Sequence, residues 1–282
     1  MIIDSVIFQT AFKNIKKQPV SDVVKAYLND LYKLYNVNLN YDSSQFVYRY
    51  DLMGTILMNK LVKNNKFDQV DMVLLPSWGV TWNMDYSAPE LYLKNKFNIH
   101  AAFLDVKGCG LLCVFYALNT LLKLYNSNSI SKALCCSIEN AWLFKLSKNK
   151  PVAPEINFVA SLSTVSKCNS KQFVKVVLCE VISNKQYIEK IKSMINAFSM
   201  NINDFIVYVK HKDNFNVLTS WNVIFYPISS GFVYYCLDFI FKNRIKFNYI
   251  FIVDHDHALF STGILLIKQN GFLYDKRCFI SI

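Results

Sequence analysis

Charge is scarce in this 282-residue chain: 18% of its residues are charged, against 53% that are hydrophobic. Even so, it lacks an uncharged apolar run long enough to cross a bilayer, which takes about 20 residues. The longest central run, Gly108–Leu122, covers 15 residues between Lys107 and Lys123. The other rich stretch, Phe232–Val253, is cut by Asp238, Lys242, Arg244 and Lys246. The N-terminal run contains Asp4 and no small-residue cleavage site, so it reads as a strand and not as a leader. Together these absences predict a cytoplasmic protein with no membrane span. A CxxC pair is also missing, which argues against a structural zinc site. Cys113, Cys135, Cys136, Cys179 and Cys236 lie within apolar patterns, where a free thiol behaves as a small hydrophobe in a reduced compartment. No basic stripe with interleaved aromatics accompanies the net charge of +11, so nucleic acid is not the expected partner. Scattered lysines fit either a biased genome or an acidic protein partner.

What is present is a weak internal duplication. The first unit has a helix carrying Met53, Ile56, Leu57 and Leu61, and then the strand Val70–Leu75. A second helix carries Val114, Ala117, Leu118, Leu121 and Tyr125, and the strands Lys132–Ile138 and Phe158–Lys167 close the unit. The second unit repeats the order. A helix presents Ile188, Ile191, Ile195 and Phe198, followed by the strand Phe205–Val209. Another helix presents Val233, Cys236, Leu237, Ile240 and Phe241, followed by Phe247–Val253 and Leu259–Lys268. Two such copies imply a layered α/β architecture, with buried and largely parallel strands. The apolar excess suits doubly buried strands or a large subunit interface.

The run from Val70 through Pro76, Asp105, Gly108-Cys109-Gly110 and Tyr116-Ala117-Leu118 resembles the core of the type III ketoacyl-carrier-protein synthases. In that family an Ala-Phe-Asp strand leads into a Gly-Cys turn that opens a buried helix. The later run, from Ile206-Val207-Tyr208 through His211, Ile228 and Asp254 to Lys268, is similar to the family's second half. The resemblance implies a shortened thiolase-like α-β-α-β-α fold built from two pseudo-repeated halves. Residues 1–181 would carry Cys109 and residues 182–282 would carry His211. It implies acyl transfer without a cofactor, in fatty-acid, polyketide or specialised metabolism. Cys109 would take an acyl group from a coenzyme A or acyl-carrier-protein thioester, and His211 would donate to the thioester oxygen or activate the second substrate. A cysteine at a helix start has physical support for this role, because unpaired amides and the helix dipole favour a thiolate. Cys113 is the alternative register, and both cysteine and histidine also admit ordinary structural roles.

Three departures bear on activity. Ile228 stands at the position of the family's asparagine and cannot donate to an enolate oxygen. His255, Asp256, His257, Ala258 and Leu259 replace the family's glycine-rich loop, putting side chains where backbone amides come close. The link from Val181 to Tyr187 is short, removing a substrate-shaping insert. His255 and His257 also invite a metal reading, but no third ligand stands at recognisable spacing and a polar turn is the better one. Two functions follow: an acyltransferase or specialised condensing enzyme, or a catalytically silent subunit paired with an active ketosynthase paralogue. Either would dimerise, with itself or with a related synthase.

Overall fold

The computed structural model describes residues 1–12, 18–19, 26, 46–47, 50–64, 67, 69–77, 89–107, 109, 112–139, 158–167, 173–210, 221–225, 231–243, 245–256 and 259–270. The chain opens with β1 (Ile2–Gln9), and β2 (Gln18–Pro19) and β3 (Phe46–Val47) form a small antiparallel pair. Then come α1 (Tyr50–Lys63), β4 (Met72–Pro76), α2 (Pro89–Lys96), β5 (Ala102–Val106), α3 (Cys113–Asn126), β6 (Lys132–Glu139) and β7 (Phe158–Val165). The remainder is β8 (Phe173–Ser183), α4 (Tyr187–Ala197), β9 (Phe205–Val209), β10 (Val223–Phe225), α5 (Phe232–Asn243), β11 (Tyr249–Asp256) and β12 (Ser261–Asn270).

Ten of these strands form one sheet in the order β10-β9-β11-β12-β8-β1-β7-β6-β4-β5. From the β5 edge inward, the junctions run parallel, parallel, antiparallel, antiparallel as far as β1. From the β10 edge inward, the same sequence of junctions runs as far as β8. The two sets meet where Ile2 and Ile3 of β1 pair antiparallel with Lys175 and Val174 of β8. Matching strands and helices therefore follow each other in the same order in both sets. Position 181/182 falls inside β8, which pairs with β12 along its length. The sheet is mixed and not largely parallel. A short connection can join antiparallel neighbours only, and residues 257–260 link β11 to β12 in that way.

Because strand side chains alternate between faces, the core divides into layers. Leu74, Cys135 and Leu162 of the first set pack in one cluster with Tyr208, Ile252 and Leu265 of the second. Between them lie Phe115, Leu118 and Leu121 of α3 and Val233, Leu237 and Ile240 of α5. The opposite face of the first set, with Val73, Leu75, Cys136 and Val159, packs on Met53 and Leu57 of α1 and Leu93 of α2. The opposite face of the second set, with Val207, Phe251 and Val253, packs on Tyr187, Ile191 and Met194 of α4. The single sheet thus folds over α3 and α5, and helix, half-sheet, helix, half-sheet and helix make five layers. The neighbours Cys135 and Cys136 fall into different clusters, as the strand alternation requires.

The inner helices join the two sets. The Cys179 thiol of β8 donates to the Phe115 carbonyl of α3 at 3.3 Å, while Tyr125 of α3 donates to the Thr164 carbonyl of β7 at 2.6 Å. From α5, the Tyr234 hydroxyl meets Ser137 Oγ of β6 at 2.8 Å. Ser137 gives its own proton to the Pro76 carbonyl at 2.8 Å, so Tyr234 is the donor in that pair. Tyr234→Phe strands an acceptor in the core, and urea unfolding is expected to report a loss of about 1–1.5 kcal/mol.

Candidate active site

The edge strand β5 feeds directly into the segment that carries Cys109. Leu112 N–H donates to the Cys109 carbonyl at 3.2 Å, closing a turn, and the first helical residue of α3 is Cys113. Cys109 therefore lies a turn ahead of the helix, where the dipole's influence fades, and Cys113 takes the N-terminal position. Yet the Cys113 thiol is buried, donates to the Ser77 carbonyl at 3.1 Å and is pushed up to about 12, chiefly by burial. At this site desolvation outweighs the helix N-terminus. Cys109 is half-buried, and its thiol donates to the Lys107 carbonyl at 3.5 Å. Every other described cysteine is buried, and burial raises the pKa of each.

Across the inner layer from the start of α3 lies a row of residues on the second set. Asp254 of β11 is the register partner of Gly263 on β12, which in turn pairs with Val181 of β8. A Cβ on Gly263 would stand 2.5 Å from the Phe115 ring, so the glycine lets the first turn of α3 rest on the sheet. Beside Asp254, Lys210 follows the last residue of β9. Lys210 Nζ lies 3.6 Å from Asp254 Oδ1, and the two side chains are only 2% and 5% exposed. The Asp254 carboxyl is held above its ordinary range because burial outweighs the nearby Lys210 ammonium and the His255 N–H that donates to it.

His255 turns to the opposite face. Its ring packs edge-on against Tyr187 with centroids 4.7 Å apart, and Nδ1 meets Thr262 Oγ1 at 2.8 Å. Thr262 gives its single hydroxyl proton to Asn184 Oδ1 at 2.6 Å, so Nδ1 of His255 is the protonated nitrogen that donates to Thr262. Asp256 accepts the Leu259 N–H at 3.0 Å, which shapes the hairpin. Among the described residues, no three His, Cys, Asp or Glu side chains cluster closely enough to hold a metal.

Of the residues singled out from sequence, Cys109 and Cys113 thus share the approach to α3. His211, Ile228 and His257 lie outside the described residues. Sequence reading missed the Lys210–Asp254 pair. Its signal was a lysine directly after the all-apolar run Phe205–Val209 and an aspartate directly after the apolar run Tyr249–Val253, on strands that pair in parallel.

Five alternating layers and a helix opened by a cysteine segment after an edge strand make a thiolase-type fold. No protein-family model matches the sequence, and no curated protein does. Among solved structures, acetamide-bound OleA of Xanthomonas campestris aligns over 95% of this chain and 100% of its own, with a TM-score of 0.62 at 11% identity. The acyltransferase ChlB3 aligns over 96% of this chain and 98% of its own, with a TM-score of 0.62 at 9% identity. The 3-oxoacyl-acyl-carrier-protein synthase III of Aquifex aeolicus aligns over 74% and 80%, with a TM-score of 0.55 at 10% identity. This chain has their fold.

Proposed function

We propose that the protein accepts an acyl group from a coenzyme A or carrier-protein thioester onto Cys109. The observation that carries this reading is selective exposure: among the described cysteines, only Cys109 is not buried, and that cysteine stands where the chain enters the buried helix of a thiolase-type fold. Transfer exchanges one thioester for another: the Cys109 sulfur bonds to the acyl carbon, and the carrier thiol leaves with the proton. Decarboxylative condensation is not proposed as the next step. Ile228 offers no donor for an enolate, and loss of one such donor costs about 2.7–4 kcal/mol of transition-state stabilisation. His211 is assigned the thioester-oxygen contact on resemblance alone.

The buried Lys210–Asp254 pair favours a second reading. It places charged side chains in the inner layer opposite the start of α3, which suits a catalytically silent subunit of a ketosynthase pair. Both readings include a dimer. The strand β5 is an edge with Leu104 45% exposed, and Tyr116 on the adjoining α3 is 38% exposed. An exposed edge of this kind invites pairing with another copy or a related synthase. The proposed acidic carrier protein matches the +11 charge, and cytoplasmic biosynthetic metabolism remains the proposed setting.

Incubation with acyl-coenzyme A separates the readings. Acyl transfer predicts release of free coenzyme A thiol stoichiometric with protein, lost in Cys109→Ala and retained in Cys113→Ala. No release, with stable co-purification of a related synthase, would establish the silent subunit instead.

A further inference from the structure

Cys109 and Cys113 form a pair of unlike thiols on one turn of chain. The Leu112 N–H bond to the Cys109 carbonyl folds the segment back on itself. It leaves the two thiols on adjoining strand ends: Cys109 donates to the Lys107 carbonyl, and Cys113 donates to the carbonyl of Ser77, whose N–H is bonded to Val106 beside Lys107. One thiol is half-buried and open to small solutes, while the other is buried against the Ser77 carbonyl. An accessible cysteine backed by a second cysteine is the arrangement in which an oxidised sulfur is resolved to a disulfide before it can be oxidised further.

We propose that Cys109 and Cys113 are a peroxide-responsive disulfide pair that reversibly withdraws Cys109 from acyl transfer. In the first step the Cys109 sulfur attacks hydrogen peroxide. The O–O bond breaks, one oxygen stays on sulfur as the sulfenic acid, and the other leaves as water. In the second step the Cys113 sulfur attacks the Cys109 sulfur and the S–O bond breaks. The departing hydroxide takes the Cys113 proton and leaves as a second water. Two thiols have then lost two electrons and one peroxide has gained them. The Cys113 thiol reacts from its neutral form, so resolution is slower than with a thiolate. A dithiol reductant reverses the bond by exchange. Disulfide formation stands on the geometry of the pair; its effect on acyl transfer rests on the reading of Cys109 as the acceptor.

Trypsin cutting after Lys107 and Lys123 releases Gly108–Lys123, which holds these two cysteines and no others. The full-length protein is treated with hydrogen peroxide, denatured, alkylated with N-ethylmaleimide and digested. The expected peptide lacks two hydrogens and carries no maleimide, and after dithiothreitol it carries two. Acyl uptake is expected to fall in proportion to the disulfide and to return on reduction. In Cys113→Ser, peroxide is expected to drive Cys109 on to the sulfinic acid. Two maleimides after peroxide would overturn the proposal, as would a sulfinic acid on wild-type Cys109 beside an alkylated Cys113. If Cys109 resists overoxidation equally in Cys113→Ser, the resolving role of Cys113 is overturned. A disulfide that forms in a protein taking no acyl group when reduced leaves the pair standing and removes the acyl-transfer reading.

Discussion

Lys210→Met is expected to destabilise the protein by about 3–5 kcal/mol near neutral pH, because it leaves a buried carboxylate without its counter-charge. Lys210 and Asp254 are 2% and 5% exposed, so water cannot take over from the lost partner. The effect has a pH signature. The Asp254 pKa in the folded state lies above its ordinary 3.8, so the folded state holds that proton more tightly than the unfolded chain. Its contribution to stability is complete below 3.8 and is lost as pH rises through the folded-state pKa. Lys210 pulls that pKa down, so removing it moves the loss higher in pH and makes it larger. Urea unfolding at stepped pH should therefore show the Lys210→Met penalty growing from acid toward neutrality. The double variant Lys210→Met/Asp254→Leu should recover most of it, since an apolar replacement of a buried pair is often neutral. A single-variant penalty within about 0.5 kcal/mol at neutral pH, typical of a surface change, would contradict the burial of the pair.

Gly263→Ala should cost about 3 kcal/mol, the upper end for overpacking a core. The added methyl would stand 2.5 Å from a ring that is itself fully buried. Phe115→Ala should cost about 3–5 kcal/mol through the cavity it leaves. The pair is coupled: joining Gly263→Ala with Phe115→Leu should restore at least about 1 kcal/mol relative to the sum of the single changes. Thermal and urea unfolding of Gly263→Ala, Phe115→Leu and the double variant measure this. Strict additivity would mean that the first turn of α3 does not rest on β12.

The repeat was legible because its helices and most of its strands carry strong periodicity. Met53, Leu57 and Leu61 recur on the face of α1 that turns inward, and Phe205–Val209 is apolar throughout, as a strand buried on both faces must be. The strand β8 was not read. Lys175, Glu180 and the half-buried Val177 and Leu178 break its pattern. The helix α2 was hidden in the same way, because among its described side chains, 91–96, only Leu93 is buried. Strand direction was misjudged because apolar content shows burial but not sense. The site was legible only in part. A Gly-Cys turn before an apolar helix marked Cys109, but the position of the first helical residue, Cys113, depends on backbone geometry that no residue type announces. Nor could spacing show that Asp254 and His255 face opposite layers, one toward Lys210 and the other toward Tyr187.

Tandem mass spectrometry of Gly108–Lys123 after exposure of the reduced protein to an acyl thioester is the decisive measurement. The account predicts the acyl mass on the Cys109 sulfur and none on Cys113. A folded, fully reduced protein whose peptide stays unmodified, or carries the acyl group on Cys113, would contradict it.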